Sequence, residues 1–296
     1  MADDAVDQVF GPGARSERVE VLGSWLHHVE RGEGRPVVML HGNPTSSYLW
    51  RKVFRALTTP GRLLAVDLIG FGRSGKPDIA YDLDDHAHYL DAWFDALELR
   101  DVTLLLQDYG SVLGLSWARR HPDRVRDIVL MEPILGALDS AELPPDFVAL
   151  RNQVLEPGVG EEIVLKQNRF VTELLPQSLV HGLTPDEQAA YEESFPTVES
   201  RRPILFCPRA LPVDGRPEST MAVLDANADW LRSGDTPVLL QTFEPGFLMT
   251  PSLLKWATEH IPRLTVEHLG AGIHWVQEDQ PEAIAASVDR WLAKRK

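Results

Sequence analysis

A carboxylate stands at a sharp turn in the stretch VTLLLQDYGSVLG. Asp108 directly follows an apolar run and precedes a helical pattern, and Gly110 comes two residues later. A strand, a tight turn and a helix form a nucleophile elbow, in which a glycine allows the strand and the helix to pack closely. The pattern therefore predicts Asp108 as a nucleophile.

A carboxylate at such a turn can attack carbon without first losing a proton. An aspartate is already anionic near pH 7, so it can displace a leaving group from saturated carbon and form an alkyl-enzyme ester. Hydrolysis of that ester requires a base that activates water, an acid that orients the base, and N–H donors for the oxyanion. These groups must lie close to Asp108.

Candidates for these groups stand at the ends of other apolar runs. His274, in GAGIHWVQED, is the best candidate for the base among ten histidines, and Glu132, in VLMEP, is the candidate acid. Asn43, in HGNPTSSYLW, lies in a turn where N–H groups can face an oxyanion and a departing anion. Each residue alone also fits an ordinary structural role, but four such residues at four strand ends favour a catalytic site.

Short apolar runs predict the strands that position these residues. The runs span 37–40, 63–66, 104–106, 128–131, 238–240 and 264–266. Their continuous hydrophobicity indicates buried strands in a mostly parallel sheet. Between them, YDLDDHAHYLDAWFDALEL predicts an amphipathic helix capped by Asp84 or Asp85, and a final helix follows Gln280-Pro281. The alternation predicts an α/β fold with helices flanking a central sheet.

The alternation breaks once, between about Leu135 and Asp235. Apart from a strand-like run around Ile204 to Phe206, this part of the chain has proline and helical patterns such as EEIVLKQNRFVTELL. We therefore expect a helical cap at residues 136–213, with residues 1–135 and 214–296 forming the core. Open α/β sheets bind ligands beyond the carboxyl ends of their strands, so a cap there would exclude water from the site.

Composition argues against several classes of function. The 296-residue chain has a formal net charge of -15, which argues against nucleic-acid binding. No apolar run approaches the roughly 18 residues of a membrane span, and the acidic start MADDAVDQVF is unlike a secretory signal. The single cysteine, Cys207, fits a reducing compartment and is expected to be a small buried hydrophobic residue. We expect a cytoplasmic protein that does not bind membranes.

No metal or cofactor is predicted. His86 and His88 lie near several aspartates, but at i and i+2 on a helix their side chains point about 200° apart, so we interpret them as a solvated helix face. The segment GFGRS lacks the third glycine of a dinucleotide fingerprint and the lysine of a P-loop. Nothing in the sequence indicates an oligomeric state.

The motifs around these residues resemble those of the haloalkane dehalogenases of the α/β-hydrolase superfamily. The similarity extends from about Glu20 to Leu292 and is carried by HGNPTSSYLWR, DLIGFGRSGKP, QDYGSVLG, VLMEP, SRRPILFCPRALP, EPGFLM and GAGIHWVQEDQPEAI. The resemblance implies an α/β-hydrolase fold with a helical cap inserted after strand 6. It also implies hydrolysis of a small apolar haloalkane to alcohol, halide and a proton, without a cofactor.

The resemblance implies roles for individual residues. Asp108 would be the nucleophile and His274 the base. The most similar subfamily has its acid after the sixth strand, which corresponds to Glu132 rather than to Glu244 in TFEPG. An apolar pocket is also implied, because Phe170 and Pro208 match family positions that line it. Leu248, after the seventh strand, is expected to join them, although ordinary core packing would explain all three.

The residue after the nucleophile departs from the family pattern. The family usually has tryptophan there, whose indole N–H is the second halide donor, whereas this chain has Tyr109. A tyrosine O–H lies at the far end of the ring and can point elsewhere. The resemblance implies that Asn43 and Tyr109 hold the halide ion, and that their backbone N–H groups form the oxyanion hole. Loss of one such donor costs about 3 kcal/mol, so weak dehalogenation or a shifted substrate range stays open.

Other activities fit the same constellation of residues. Epoxide hydrolases of this fold resemble one another in having two cap tyrosines, and only Tyr191 falls in the predicted cap. Fluoroacetate dehalogenases have arginine after the nucleophile, where this chain has Tyr109. Coelenterazine-using luciferases resemble the same subfamily, and a non-catalytic binding protein could retain the pocket. The sequence leaves these alternatives open.

Overall fold

One eight-stranded sheet forms the centre of the molecule, which the computed structural model describes over residues 3–295. The strands are β1 (Arg15–Val21), β2 (Ser24–Arg31), β3 (Pro36–Leu40), β4 (Arg62–Val66), β5 (Val102–Asp108), β6 (Val125–Pro133), β7 (Val238–Pro245) and β8 (Leu264–Gly272). They lie in the order β1-β2-β4-β3-β5-β6-β7-β8. Only the pairings of β2 with β1 and with β4 are antiparallel. The predicted mostly parallel sheet is therefore confirmed.

The six apolar runs correspond to β3 through β8, but they are not equally buried. β3 and β5 are buried along their whole length, because each lies between two other strands. The prediction of burial is wrong for β8, where Val266 is 41% exposed. This strand is at the edge of the sheet and has β7 as its single neighbour.

The hairpin of β1 and β2 was not predicted from the sequence. The two strands pair antiparallel from Arg15 with Glu30 to Val21 with Ser24. β1 has little buried surface and carries mostly charged side chains, so it lacks the continuous apolar run that marks the other strands. Pairing with β2, rather than burial, stabilises this edge of the sheet.

Helices cover both faces of the sheet. The α-helices are α1 (Asp3–Phe10), α2 (Arg51–Ala56), α3 (Leu83–Ala96), α4 (Tyr109–Arg120), α5 (Pro145–Leu155), α6 (Val159–Glu161), α7 (Leu175–Gln177), α8 (Pro185–Glu193), α9 (Arg202–Ala210), α10 (Glu218–Ser233), α11 (Pro251–His260), α12 (Val276–Asp279) and α13 (Pro281–Ala293). α3, α4 and α10 pack on one face, and α1, α2 and α13 pack on the other. No helix within residues 3–295 is long and apolar enough to cross a membrane.

Helix α3 differs in two details from the sequence prediction. Its N-cap is Asp82, whose side chain accepts a hydrogen bond from the backbone N–H of Asp85, so the prediction of Asp84 or Asp85 as the cap is wrong. His88 is exposed, but His86 is buried and packs near Phe71. The prediction of a solvated face therefore fails for His86. This residue lies one turn before Leu90 and extends the apolar stripe of the helix.

The segment between β6 and β7 contains α5 to α9, before α10 packs against α4 of the core. Two π-helical turns, Glu162–Lys166 and Phe170–Leu174, complete this cap. The run around Ile204 is helical rather than a strand, since it lies in α9. An isolated bridge between Leu138 and Val213 joins the two ends of the segment. These ends lie next to the predicted boundaries of the cap.

Gly110 is expected to be more sensitive to a side chain than Gly114 in the same helix. A Cβ at Gly110 would overlap the backbone carbonyl of Leu40 and lie 2.8 Å from that of His41, whereas one at Gly114 would meet methyl groups of Leu106. Gly110→Ala should lower the free energy of unfolding by about 2 kcal/mol or more, because backbone yields less than a side chain. Gly114→Ala should cost less, since higher helix propensity offsets part of the crowding. Urea unfolding of both variants tests this, and equal losses would contradict it.

Candidate active site

Asp108 lies where β5 meets α4, at the carboxyl edge of the sheet. Its φ of 51° and ψ of -128° are unusual for a residue with a side chain, and such strain is typical of a nucleophile turn. A Cβ at Gly42 would overlap the Asp108 side chain, so this glycine permits the close approach of the β3 loop. The backbone N–H of Asn43 donates to Asp108 Oδ1 at 2.9 Å. The nucleophile candidate is thus buried and held by a backbone donor.

His274 lies between two carboxylates. Its Nε2 is 3.4 Å from Asp108 Oδ2, and its Nδ1 is 3.6 Å from Glu132 Oε2. Its backbone N–H donates to the carbonyl of Ser178 in the cap at 3.3 Å. The structure therefore brings the predicted nucleophile, base and acid together from the ends of three strands or the loops after them.

Glu132 is the carboxylate that reaches the base. It is 0% exposed and has a φ of 44°, and its Oε2 accepts hydrogen bonds from the N–H groups of Phe247 and Leu248 at 2.9 and 2.7 Å. Glu244, the alternative acid, is exposed. A buried carboxylate is tolerated only when hydrogen bonds or charges compensate its desolvation, and here the loop after β7 supplies two donors.

The two carboxylates control the charge of His274. Burial lowers the pKa of the ring, but the interactions with Asp108 and Glu132 outweigh burial and raise the pKa to about 9. The resting ring is therefore protonated near neutral pH. Its positive charge lies between two negative charges, which lowers the cost of burying all three groups.

Tyr109 connects the nucleophile turn to the cap. Its hydroxyl donates to the backbone carbonyl of Cys207 in α9 at 2.6 Å. Burial, and then the neighbouring Cys207 and Asp108, raise the pKa of Tyr109 well above its ordinary value, so the phenol stays protonated. The single hydroxyl proton is thus committed to the cap backbone. In this arrangement the tyrosine does not offer its side chain as a second halide donor.

Asn43 offers an amide for an anion beside Asp108. Its side-chain oxygen Oδ1 is buried without a hydrogen-bond partner among the described residues, while its backbone N–H donates to Asp108. An amide nitrogen carries two donors, which suits a halide leaving group. Asn43 is therefore a side-chain amide beside the nucleophile candidate that can face a departing anion.

A cavity opens in front of Asp108 and beneath the cap. Its wall contains the three residues expected from the sequence, Phe170, Pro208 and Leu248. Sequence reasoning missed several further wall residues: Phe147, Leu174, Leu211, Phe247 and Trp275. Phe247 directly precedes Leu248 in EPGFLM, and Trp275 directly follows His274 in GIHW. This adjacency to predicted site residues was the available signal. The wall is mainly apolar, as expected for an apolar substrate.

A buried ion cluster joins the cap to α12, which begins two residues after His274. Glu278 of α12 pairs with Arg51 through both carboxylate oxygens, and the Tyr191 hydroxyl of α8 donates to it. Glu187 of α8 lies 2.6 Å from Arg51 Nη2. Asp279, next in α12, accepts from the backbone N–H groups of Val180 and His181. Glu278 and Asp279, which follow His274 closely in the sequence, thus make contacts that hold the cap, and sequence reasoning missed these contacts.

The structure also bears on the minor expectations for this region. Cys207 is buried, which confirms its prediction as a small buried hydrophobic residue. Among the residues that the structure describes, no group of three or more His, Cys, Asp or Glu side chains is placed to hold a metal ion.

Known proteins share both the sequence and this fold. A family model described as alpha/beta hydrolase fold matches residues 35–281. A haloalkane dehalogenase of Agrobacterium fabrum is 53% identical over 294 residues, which are 99% of this chain and 97% of that protein. One from Mesorhizobium japonicum is 39% identical and covers 96% of this chain and 93% of its own length. The crystal structure of the haloalkane dehalogenase DatA from Agrobacterium tumefaciens has a TM-score of 0.95 at 54% identity, covering 97% of this chain and 99% of that one.

Removal of Arg51 should destabilise the protein far more than removal of a surface arginine. Arg51→Met would remove the ion-pair partner that binds both oxygens of the buried Glu278 carboxylate. Breaking such a buried pair typically lowers the free energy of unfolding by about 3–5 kcal/mol. Arg120→Met is the control, since Arg120 forms a bidentate pair with Asp91 on the surface and should contribute at most about 1 kcal/mol. Denaturant unfolding measures both losses. Similar values for the two variants would show that the cluster has no special role in seating the cap.

Proposed function

Because the chain belongs to the haloalkane dehalogenases, hydrolases of the α/β-hydrolase fold that cleave carbon–halogen bonds, we propose that Asp108 performs this cleavage as the attacking nucleophile. The observation that carries the proposal is the alignment of Asp108, His274 and Glu132 beside a mainly apolar cavity. The reaction converts a haloalkane and water into an alcohol, a halide ion and a proton.

The first step is displacement at saturated carbon. Asp108 Oδ1 is held by the backbone N–H of Asn43, so Oδ2 is the oxygen free to attack. A bond forms between Oδ2 and the substrate carbon while the carbon–halogen bond breaks, and the halide leaves with the bonding electron pair. The apolar wall favours this step, because an incompletely solvated carboxylate is a stronger nucleophile beside an apolar substrate.

The Asn43 amide holds the departing halide. Asn43 lies beside Asp108 and its amide has two N–H donors, whereas the Tyr109 hydroxyl donates to Cys207. We therefore propose Asn43 as the main side-chain donor for the halide, and we propose that Tyr109 contributes to the oxyanion hole through its backbone N–H at the start of α4. One strong donor rather than two is expected to stabilise the developing halide less.

The second step is hydrolysis of the ester by water. Alkylation removes the negative charge of Asp108, one of the two carboxylates that raise the pKa of His274, so the pKa falls and the ring releases its proton to solvent. The neutral Nε2 then takes a proton from water, whose oxygen attacks the Asp108 carbonyl carbon. Collapse of the intermediate releases the alcohol with the other water proton. Asp108 returns as a carboxylate and His274 as a cation, which restores the resting state.

The described contacts do not favour epoxide opening. That reaction requires an acid for the epoxide oxygen, and the tyrosine in the cap, Tyr191, donates to Glu278 instead. Tyr191 is also outside the cavity wall. Tyr109 is in the wall, but its proton is committed to Cys207. Haloalkane cleavage needs no such acid, because the halide leaves as an anion.

The substrate proposed for this site is a small apolar haloalkane. The cavity wall contains Phe170, Pro208 and Leu248, which can bury an alkyl chain but offer no charge. We assign residues 136–213 to the cap that closes over it, with residues 1–135 and 214–296 as the core. A cytoplasmic location belongs to the same proposal and is supported by the single buried cysteine, Cys207.

His274→Gln should trap the alkyl-enzyme. Without a base, attack by Asp108 still releases one equivalent of halide, while the ester persists and its alkyl group adds mass to the protein. Intact-protein mass spectrometry after incubation with a bromoalkane measures the adduct, and peptide mapping locates it. We expect steady-state halide release to fall by about a thousandfold or more.

Asp108→Ala is the matched control for this trap. Asp108→Ala should form no adduct and release no halide above background from bromo- and iodoalkanes. The parent enzyme, offered an epoxide in parallel, should leave the epoxide intact. Full activity of Asp108→Ala, or turnover of the epoxide alone, would refute the proposed nucleophile or the proposed reaction.

Tyr109→Phe should affect cap attachment more than halide binding. The change removes the hydrogen bond to Cys207 and should lower the free energy of unfolding by about 1 kcal/mol, because a buried carbonyl loses its donor. Halide affinity, measured by fluorescence titration with bromide or iodide, should change less than about threefold. Asn43→Ala should weaken it by about tenfold or more. Equal weakening of halide binding in Tyr109→Phe and Asn43→Ala would show that the tyrosine hydroxyl donates a hydrogen bond to the halide.

A further inference from the structure

Gln107, the residue before the nucleophile, is a buried amide that contacts the base. It is the penultimate residue of β5, directly before Asp108, and is 0% exposed. Its side-chain nitrogen lies 3.3 Å from His274 Nε2 and 3.4 Å from the His274 carbonyl oxygen. Its carbonyl end, Oε1, is buried without a hydrogen-bond partner among the described residues. One end of the amide therefore faces the atom of His274 that exchanges protons.

The proton-exchanging nitrogen has few polar neighbours. Within the described part of the chain, the side-chain groups near His274 Nε2 are Asp108 Oδ2 at 3.4 Å and the Gln107 amide at 3.3 Å. In the alkyl-enzyme, Oδ2 becomes the alkyl oxygen of an ester, which is a weak acceptor without charge. Gln107 is then the polar side chain left beside Nε2. A buried imidazole without such a partner would lose both its orientation and the stabilisation of its charged form.

An amide suits both protonation states of this nitrogen. Neutral Nε2 has a lone pair that accepts a hydrogen bond, whereas protonated Nε2 donates one. The two ends of a glutamine amide have nearly the same size and opposite hydrogen-bonding character, so rotation by about 180° exchanges a donor for an acceptor at Nε2 and gives up the contact of the amide nitrogen with the His274 carbonyl. The observed orientation, with the amide nitrogen towards Nε2, suits the neutral ring, and after rotation the unpartnered Oε1 can accept from the protonated ring.

We propose that Gln107 is a further catalytic residue, whose amide partners His274 Nε2 before the water binds and again after the water proton has moved to Nε2. The amide N–H donates to Nε2 while the ring is neutral, and the incoming water replaces it when a water O–H binds the same lone pair. The water proton then moves to Nε2, hydroxide adds to the ester carbon, and the turned amide oxygen accepts from the new Nε2–H. No bond to Gln107 forms or breaks. This inference rests on the proposed function, because it assigns a role in the second step.

Among the residues that the structure describes, the carboxylates that face the His274 ring lie on two strands. Asp108 faces the ring from β5 and Glu132 faces it from β6. On the cap side, burial raises the pKa of Cys207 well above its ordinary value, and the phenol of Tyr109 is likewise neutral. A charge introduced at position 107 would therefore act on the ring without competition from a titrating cap residue.

Three variants separate hydrogen bonding from packing. Gln107→Met keeps the length of the side chain but cannot donate or accept strongly. Gln107→Glu keeps the shape and can only accept. Gln241→Met is the matched control, because Gln241 is a fully buried amide on β7, its Nε2 contacts the Ile284 carbonyl, and its Oε1 is also unpartnered. In the sheet register, Gln241 and Gln107 lie on either side of Met131 of β6, so the two glutamines occupy equivalent positions along their strands.

The experiment follows both steps in a single turnover with a bromoalkane. Halide release and added mass on Asp108 report alkylation, and loss of that mass reports hydrolysis. Gln107→Met should release halide within about threefold of the parent rate but hydrolyse the ester about tenfold to a hundredfold more slowly, the effect of one hydrogen bond to a charged group. Gln241→Met should match the parent in both steps.

The pH dependence of hydrolysis gives the second readout. Hydrolysis requires the neutral ring, so its rate rises with pH through the pKa that His274 has in the alkyl-enzyme. Gln107→Glu stabilises the protonated ring, which raises that pKa, and should move the midpoint upward by roughly one pH unit or more. This variant decides the question even if Gln107→Met does not fold, because it changes few atoms.

Three results would overturn the role of Gln107: parent-like hydrolysis in Gln107→Met, equal slowing of alkylation and hydrolysis in that variant, or an unchanged midpoint in Gln107→Glu. Failure of the proposed function would look different, since the parent enzyme itself would then form no adduct on Asp108. Slow hydrolysis together with normal alkylation and a raised midpoint supports the assignment.

Discussion

The position of His274 between two buried carboxylates is the interaction on which the rest of the site depends. Three charged groups can share a desolvated pocket only when each is compensated by hydrogen bonds or by the others. Asp108 is held by the backbone N–H of Asn43, and Glu132 by two N–H groups of the loop after β7. The parallel strands supply this compensation by bringing their carboxyl ends to one edge, where the following loops present unpaired N–H groups. In the proposed mechanism the same arrangement links the two chemical steps, since loss of charge on Asp108 would lower the proton affinity of His274.

The cap is attached at residues adjacent to the catalytic groups. Tyr109, directly after the nucleophile, donates to the Cys207 carbonyl of α9, and Glu278 and Asp279, shortly after the base, bind the α8 side of the cap. A shift of the cap would therefore be transmitted to both sides of the site. The Tyr109 ring places its hydroxyl at the cap backbone, so this tyrosine joins the turn at Asp108 to the cap.

Several parts of the fold followed from local pattern. Continuous apolar runs identified β3 to β7 because strands covered on both faces need apolar side chains at every position. The hydrophobic pattern gave wrong or missing predictions where a residue's burial does not follow from its residue type. The hairpin of β1 and β2 is stabilised by pairing, β8 is an exposed edge, and His86 is buried because it continues the stripe of α3 despite its polar side chain. A pattern of residue types reports the average environment of a position, and these positions depart from that average.

The sequence by itself determined the family, the nucleophile turn and the candidates for base and acid, because motif residues at strand ends follow from chain order and the geometry of parallel sheets. Only the tertiary structure decided where their side chains point. The Tyr109 hydroxyl meets a carbonyl 98 residues away, and the Gln107 amide meets a base 167 residues away. Likewise, Glu132 is buried beside His274 while Glu244 faces solvent. The direction of a hydrogen bond depends on which distant group the fold brings within about 3 Å, and neighbouring residues in the chain do not carry that information.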